Sequence, residues 1–149
     1  MTGDQFVPRI VFLLILITIP IAFFVLRRKR KLGPQDRVKP KNTRNFRTNL
    51  APQATLRMIA DSSAAFGYDV EEIDPAERYI ILGQDQTSGS HWGFYYPTFF
   101  TAMPDGGTLV QVGMSGKLFQ FGLIAVFNHK RFVTTLQEAV MRRGGRVSA

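Results

Sequence analysis

Cysteine is absent from the 149 residues, and histidine occurs only twice, as His91 and His129. The chain therefore has no disulfide framework and none of the Cys and His spacings that hold zinc. The two histidines lie far apart in the sequence and have no neighbouring metal ligands. We expect neither a metal nor a cofactor, and the lack of cysteine is compatible with a reducing compartment.

A catalytic constellation is also missing. One compact polar cluster carries the residue types of a hydrolase triad, and it lies in a predicted hairpin connection: Asp85, Thr87, Ser88, Ser90 and His91. Nucleophile, base and orienting acid normally come from separate elements, so members of one short loop cannot easily converge. We therefore expect no enzyme and interpret the cluster as a structural loop, with a ligand contact as the alternative.

Acidic residues are scarce in the first third of the chain. Residues 1–50 carry 11 Lys and Arg against two Asp, whereas residues 51–149 carry eight against nine Asp and Glu. The formal net charge of +8 therefore belongs to the N-terminal part. A nucleic-acid-binding domain needs a basic face of its own. No such stripe is visible in the sequence, and we expect no nucleic acid partner.

Charge is absent altogether from residues 10–26, a run of 17 residues. A helix of that length nearly matches the hydrocarbon core of a bilayer. The run is followed by basic residues, where a signal peptide would have small residues and a cleavage site. The sequence therefore predicts a single transmembrane helix over residues 10–26.

A basic cluster orients the predicted span, and it consists of Arg27, Arg28, Lys29, Arg30 and Lys31. Basic residues beside a span stay on the cytoplasmic side. Residues 1–9 are then a short extracytoplasmic N-terminus, and the predicted localisation is the cell membrane, single-pass, with a cytoplasmic C-terminal domain. Residues 27–51 are predicted to be a basic juxtamembrane linker, because Pro and Asn punctuate them. We expect the cluster to contact the anionic headgroups of a lipid bilayer.

Residues 52–143 are predicted to form one α+β domain, followed by a tail at 144–149. Apolar residues recur at helical spacing over residues 52–66 and again over residues 129–143. The strand-like segments between these helices are joined by connections too short for crossovers, which favours an antiparallel meander. The predicted fold class is α+β: an N-terminal single transmembrane helix and a small two-layer sandwich of two helices on a three- to four-stranded antiparallel sheet.

Aromatic side chains crowd both faces of one predicted strand, residues 91–100. Successive side chains of a strand point to opposite faces, so Trp92 falls on one face and Tyr95 and Phe99 on the other. Both faces therefore carry aromatic residues, and neither is polar. One interpretation is that Pro97 introduces a bulge that returns Phe99 to the core. The other is that the outer face is covered by a partner protein, the membrane surface or an apolar ligand.

A second candidate interface is the apolar stretch 118–127, which contains Phe119 and Phe121 and one polar side chain, Gln120. One interpretation exposes part of it to a partner or to the membrane, because it exceeds what one small core absorbs. The other makes it a buried fourth strand or the first turns of the closing helix. The sequence leaves both interpretations open.

These features predict a non-enzymatic, membrane-anchored protein whose cytoplasmic domain binds a partner, as an accessory or assembly subunit of a membrane protein complex. The alternative is a membrane-tethered domain that binds a lipid or another apolar small molecule between sheet and helix. An outward aromatic patch favours the partner, and an enclosed apolar cavity favours the ligand. The candidate interface residues are Trp92, Tyr95, Phe99, Phe119 and Phe121.

Overall fold

The computed structural model describes residues 17–19, 31–40, 42–84, 93–117 and 123–148. The chain divides into two compact units, Met1–Arg30 and Lys31–Ala149. In the first unit the described residues 17–19 are helical. The second unit contains the sheet and the two longer helices.

The prediction of a membrane span is corrected. In the part of the chain that the structure describes, no helix combines the length and the apolar character needed to cross a membrane. This finding overturns the predicted transmembrane helix, and with it the single-pass (bitopic) localisation in the cell membrane. Residues 1–16 and 20–30, which hold most of the predicted span and nearly all of the basic cluster, lie outside the described residues.

The described part of the second unit contains seven strands, two α-helices and two short 3-10 turns. The turns are Pro34–Asp36 and Ala64–Phe66. The helices are α1 (Pro52–Ser63) and α2 (Leu123–Arg142). The strands are β1 (Arg44–Thr48), β2 (Asp69–Asp74), β3 (Tyr79–Gln84), β4 (Phe94–Ala102), β5 (Thr108–Val112), β6 (Ser115–Gly116) and β7 (Val147–Ser148).

The strands form one sheet in the order β2-β3-β4-β5-β1-β7, with β6 paired to β4. Every pairing between these strands is antiparallel. The prediction of three to four strands was wrong. Its main omission is β1, which was assigned to the linker but lies between β5 and β7 in the sheet. Strand β7 was also missed, because it falls in the predicted tail.

Both helices pack on one face of the sheet. The core between them takes its members from β1, β3, β4 and β5 and from both helices, including Leu56 of α1 and Phe132 of α2. Helix α1 begins at Pro52, whose missing N–H would have no partner within the helix. The 3-10 turn that follows the helix ends at Gly67, with φ of 79°. Helix α2 begins at Leu123, six residues before the predicted start at residue 129.

The other face of the sheet is covered by residues 31–40, which we call the strap. Leu32 packs against a second apolar cluster formed by Tyr79, Ile81 and Tyr95. At the far end of the strap, Pro40 lies so close to Gly113 that a Cβ on this glycine would collide with the proline ring. The strap therefore supplies the cover that the aromatic outer face requires, and it comes from the predicted linker.

Polar contacts fasten the strap at its centre. Asp36 is only 2% exposed, and its carboxylate accepts hydrogen bonds from the Gly33 N–H (2.9 Å) and from Ser115 Oγ (2.7 Å). Arg37 donates from Nε to Glu72 Oε1 at 2.7 Å and from Nη2 to Glu72 Oε2 at 2.9 Å. These contacts join the strap to β6 and β2 and so span most of the covered face.

Strand β4 passes through Pro97 without a bulge. Its register with β3 runs unbroken from Tyr79↔Phe99 to Gln84↔Phe94, and its register with β5 is also unbroken. The bulge interpretation is therefore wrong, because the parity of the strand does not change. Tyr95 and Phe99 stay on the face opposite the helices, where the strap lies.

Candidate functional site: an exposed apolar surface on helix α2

The first turns of α2 expose three large apolar side chains. Leu123 is 87% exposed, Val126 is 55% exposed and Phe127 is 68% exposed. Their spacing of i, i+3 and i+4 places them as neighbours along one side of the helix. We call these three residues the α2 apolar turns.

The rest of the helix explains why these residues face outward. Ala125 packs against the core, and one turn later His129 reaches the end of β5, where its Nε2 lies 2.9 Å from the carbonyl oxygen of Val112. Phe132 and Leu136 continue the same inward face. Helical geometry then leaves positions 123, 126 and 127 on the outer side. A contiguous exposed apolar patch of this kind is typical of an interaction surface.

The electrostatic surroundings of the patch are basic. Lys130 and Arg131 follow on the next turn and are exposed, and the first acidic residue of α2 is Glu138. Burial lowers the pKa of His129 and the positive charge of Arg44 lowers it further, against the hydrogen bond with Val112, which raises it. The apolar turns therefore border a cationic rim.

The layer between the sheet and α2, where the ligand alternative places its cavity, is filled by aromatic rings. Tyr96 stacks on Phe132 with ring centroids 3.8 Å apart and planes at 12°. Tyr68 meets both rings edge-on, at 4.7 Å from Phe132 and 5.8 Å from Tyr96. Burial raises the pKa of both tyrosine hydroxyls, so they stay neutral and serve as hydrogen-bonding groups.

Of the five predicted interface residues, the structure describes two, Tyr95 and Phe99. Tyr95 is only 5% exposed, with Lys117 Nζ 4.6 Å from the centre of its ring, and Phe99 is partly buried beside Tyr79. Trp92, Phe119 and Phe121 lie outside the described residues. Of the basic cluster, only Lys31 is described, at the start of the strap, where it is exposed.

The described part of the stretch 118–127 combines features of both interpretations. Residues 123–127 are the first turns of the closing helix, as one interpretation held, yet Leu123, Val126 and Phe127 are exposed, as the other held. Sequence reasoning chose the phenylalanines at 119 and 121 as contacts and did not single out Leu123 or Val126. The sequence did contain a signal for this exposure. Residues 132, 136 and 140 mark the inner face of the helix, and continuing the same helical spacing toward the N-terminus places residues 123 and 127 on the outer face.

The polar cluster between Asp85 and His91 lies outside the described residues. Within the ranges that are described, no group of three or more His, Cys, Asp or Glu side chains could hold a metal ion. The expected absence of catalysis, cofactor and nucleic acid stays a prediction, as does the contact with anionic lipid headgroups.

Comparison with known proteins adds little to these observations. No protein-family model matches the chain, and no curated protein matches it. Among solved structures, the crystal structure of Ara h 8.0201 is similar to 66% of this chain and 95% of its own, with a TM-score of 0.47 and 9% sequence identity. A likeness this low assigns neither a family nor a function to the chain.

Proposed function

We propose that the unit from residue 31 onward is a non-enzymatic binding module that docks a partner protein on the α2 apolar turns. The observation that carries the proposal is the exposure of Leu123, Val126 and Phe127 on consecutive turns of one helix. Burying three such side chains at a protein interface contributes several kcal/mol, at roughly 25 cal/mol per Å² of apolar surface. The module then serves as an accessory or assembly subunit.

The chemistry around the patch defines the partner. The rim of Lys130 and Arg131 carries positive charge, and no acidic residue occurs between Leu123 and Gln137. Complementarity therefore requires a partner with an apolar groove or ridge flanked by Asp or Glu. The aromatic face of the sheet does not compete for this role, because the strap covers it.

Replacing Leu123 and Phe127 together by Ser tests the proposal. Both side chains are exposed, so the melting temperature is expected to stay within a few degrees of wild type. The amount of a stably co-purifying protein, measured by quantitative mass spectrometry after gentle purification of the tagged full-length chain, is expected to fall at least tenfold. A tenfold loss corresponds to about 1.4 kcal/mol.

The matched control is Met141→Ser. Met141 is 51% exposed on the same helix, near its other end, so this variant removes one exposed apolar side chain away from the patch. It is expected to retain the partner. Equal retention by the double variant and the control would contradict the proposal, and so would a double variant that unfolds, because its residues would then belong to the core.

A second candidate function, binding of an apolar small molecule, is favoured by one observation. Two buried tyrosine hydroxyls lie in an otherwise apolar layer, and Tyr96 donates its O–H to Gln84 Oε1 at 3.3 Å. A few polar groups in an apolar setting are typical of ligand sites. In this structure the Tyr96–Phe132 stack occupies the space, so a ligand must displace it.

Titration of the full-length chain with a long-chain fatty acid tests this candidate. Binding in the layer predicts saturable NMR shifts of the Tyr96 and Phe132 ring signals. Shifts confined to Leu123, Val126 and Phe127 would contradict it, because the acid would then lie on the α2 apolar turns, and so would an absence of saturation.

A further inference from the structure

An open cleft of about 310 Å³ lies between β1 and α2, away from the strap and from the filled aromatic layer. Two cations, two amides, one hydroxyl group and one apolar side chain line it. The lining residues are Arg44, Asn45, Lys130, Val133, Thr134 and Gln137.

The lining of the cleft is positively charged, and the acidic residue next to it on α2, Glu138, lies 4.0 Å from Arg142. The described lining itself has no acidic residue, and within the described part of the chain neither Arg44 nor Lys130 takes part in an ion pair. The sheet order places the acidic strand β2 four strands from β1. At about 4.8 Å per strand this is roughly 19 Å, beyond the Debye length of about 10 Å at 0.1 M salt.

The neutral groups of the cleft provide both donors and acceptors. The side-chain amides of Asn45 and Gln137 can each donate and accept. Thr134 donates its O–H to the carbonyl oxygen of Lys130 at 3.1 Å, which leaves its own oxygen free to accept. Val133, buried to 7% exposure, provides an apolar wall. This combination suits hydroxyl groups of a ligand beside its anionic group.

We propose that this cleft binds a small sugar phosphate, with the phosphate between Arg44 and Lys130 and the sugar hydroxyls toward Asn45, Thr134 and Gln137. A guanidinium group binds phosphate through paired N–H donors, and an ammonium group adds a second point charge. The volume lies at the lower end of the range for small-molecule sites, which suits a ligand of this size. The proposal does not depend on a partner at the α2 apolar turns.

A second cleft on the same unit provides an internal comparison. It measures about 270 Å³ and also has two cations, Arg47 and Arg146, but Asp105 is part of its wall. The carboxylate offsets part of the positive charge, so an anion gains less there. Arg47 lies on the same strand as Arg44, three residues toward the C-terminus. Replacing Arg47 is therefore a matched control for replacing Arg44, because each change removes one arginine from β1.

His129 reports on occupancy of the first cleft. Its ring lies between α2 and the end of β5, and the charge of Arg44 contributes to its lowered pKa. A bound phosphate dianion beside Arg44 opposes that contribution. The pKa of His129 is therefore expected to rise when the cleft is filled.

The test is a titration of the full-length chain with ribose 5-phosphate, followed by NMR of the Asn45 and Gln137 side-chain amides and of the His129 ring. We expect saturable shifts, a rise in the His129 pKa, and at least tenfold weaker binding in Arg44→Gln and in Lys130→Gln. Arg47→Gln is expected to bind like wild type. Lys130 is exposed, so its variant remains informative if Arg44→Gln is unstable.

Three results would overturn the proposal. The first is the absence of saturable shifts at these groups, and the second is an equal loss of affinity in Arg47→Gln. The third is equally tight binding of inorganic phosphate, because it would show that the cleft holds an adventitious ion only and makes no use of the sugar hydroxyls. Ribose without phosphate is expected not to bind.

Discussion

Removing residues 1–48 is expected to abolish cooperative unfolding of the chain, whereas removing residues 1–30 is expected to preserve it. The shorter deletion leaves the compact unit that begins at Lys31 with all its described contacts. The longer deletion removes the strap and the whole of β1. The difference between the two truncations isolates what residues 31–48 contribute.

Strand β1 contributes more than an edge to the sheet. It pairs with β5 over five residues and with β7 over two, so its loss exposes the edge of β5 and leaves β7 without a partner. Phe46, 1% exposed, is part of the main core beneath the helices. Loss of that side chain alone costs roughly 3–5 kcal/mol, a large share of the 5–15 kcal/mol that stabilises a typical domain.

Urea unfolding followed by circular dichroism measures this effect. The chain without residues 1–30 is expected to show one sigmoidal transition, and the chain without residues 1–48 is expected to show a gradual change or to precipitate. Retention of a cooperative transition with an unchanged midpoint after the longer deletion would mean that β1 and the strap do not belong to the folded unit.

The second large effect is expected from Phe132→Ala, at roughly 3–5 kcal/mol of lost stability. Phe132 is fully buried and contacts Tyr96 by stacking and Tyr68 edge-on. Truncation therefore removes both ring contacts and leaves a cavity between α2 and the sheet, since the backbone of two packed layers relaxes only in part.

The control for this variant is Phe127→Ala on the same helix. Phe127 is 68% exposed, so its truncation is expected to change the free energy of unfolding by about 0.5 kcal/mol or less. Equilibrium unfolding of both variants gives the comparison. A loss at Phe127 as large as the loss at Phe132 would contradict the assignment of inner and outer faces of α2.

Sequence periodicity located the helices well and the edges of the sheet poorly. Residues 52–63 and the second half of α2 carry apolar side chains at helical spacing, and both are helical in the structure. Strand β1 reads Arg-Asn-Phe-Arg-Thr, with one large apolar residue. Only pairing with β5 makes it a strand, and such non-local pairing leaves no signal in a short polar segment.

The strap was missed for a related reason. Its anchors are one leucine, one proline, the carboxylate of Asp36 and the guanidinium of Arg37, which no local pattern distinguishes from a linker. Sequence did register the consequence, since aromatic residues on both faces of β4 required a cover. The cover was then sought in a partner or a membrane, whereas the chain itself supplies it.

The membrane span was predicted from length, hydropathy and flanking charge alone. In the described residues no helix meets the requirements of length and apolar character together, and the longest described helix, α2, carries Lys130, Arg131 and Glu138 within its turns. For residues 118–127 the sequence left burial and exposure open, and the structure shows exposed side chains at Leu123, Val126 and Phe127, whereas Phe119 and Phe121 lie outside the described residues.

The most direct test of the proposed interface is site-specific photocrosslinking in cells that express the full-length chain. A benzophenone amino acid replaces Phe127 in one variant and Phe99, which lies on the strap-covered face, in a second variant. We expect one discrete adduct with a second protein at position 127 and none at position 99. An adduct at position 99 with none at position 127 would contradict it, because the partner would then dock on the face that the strap covers.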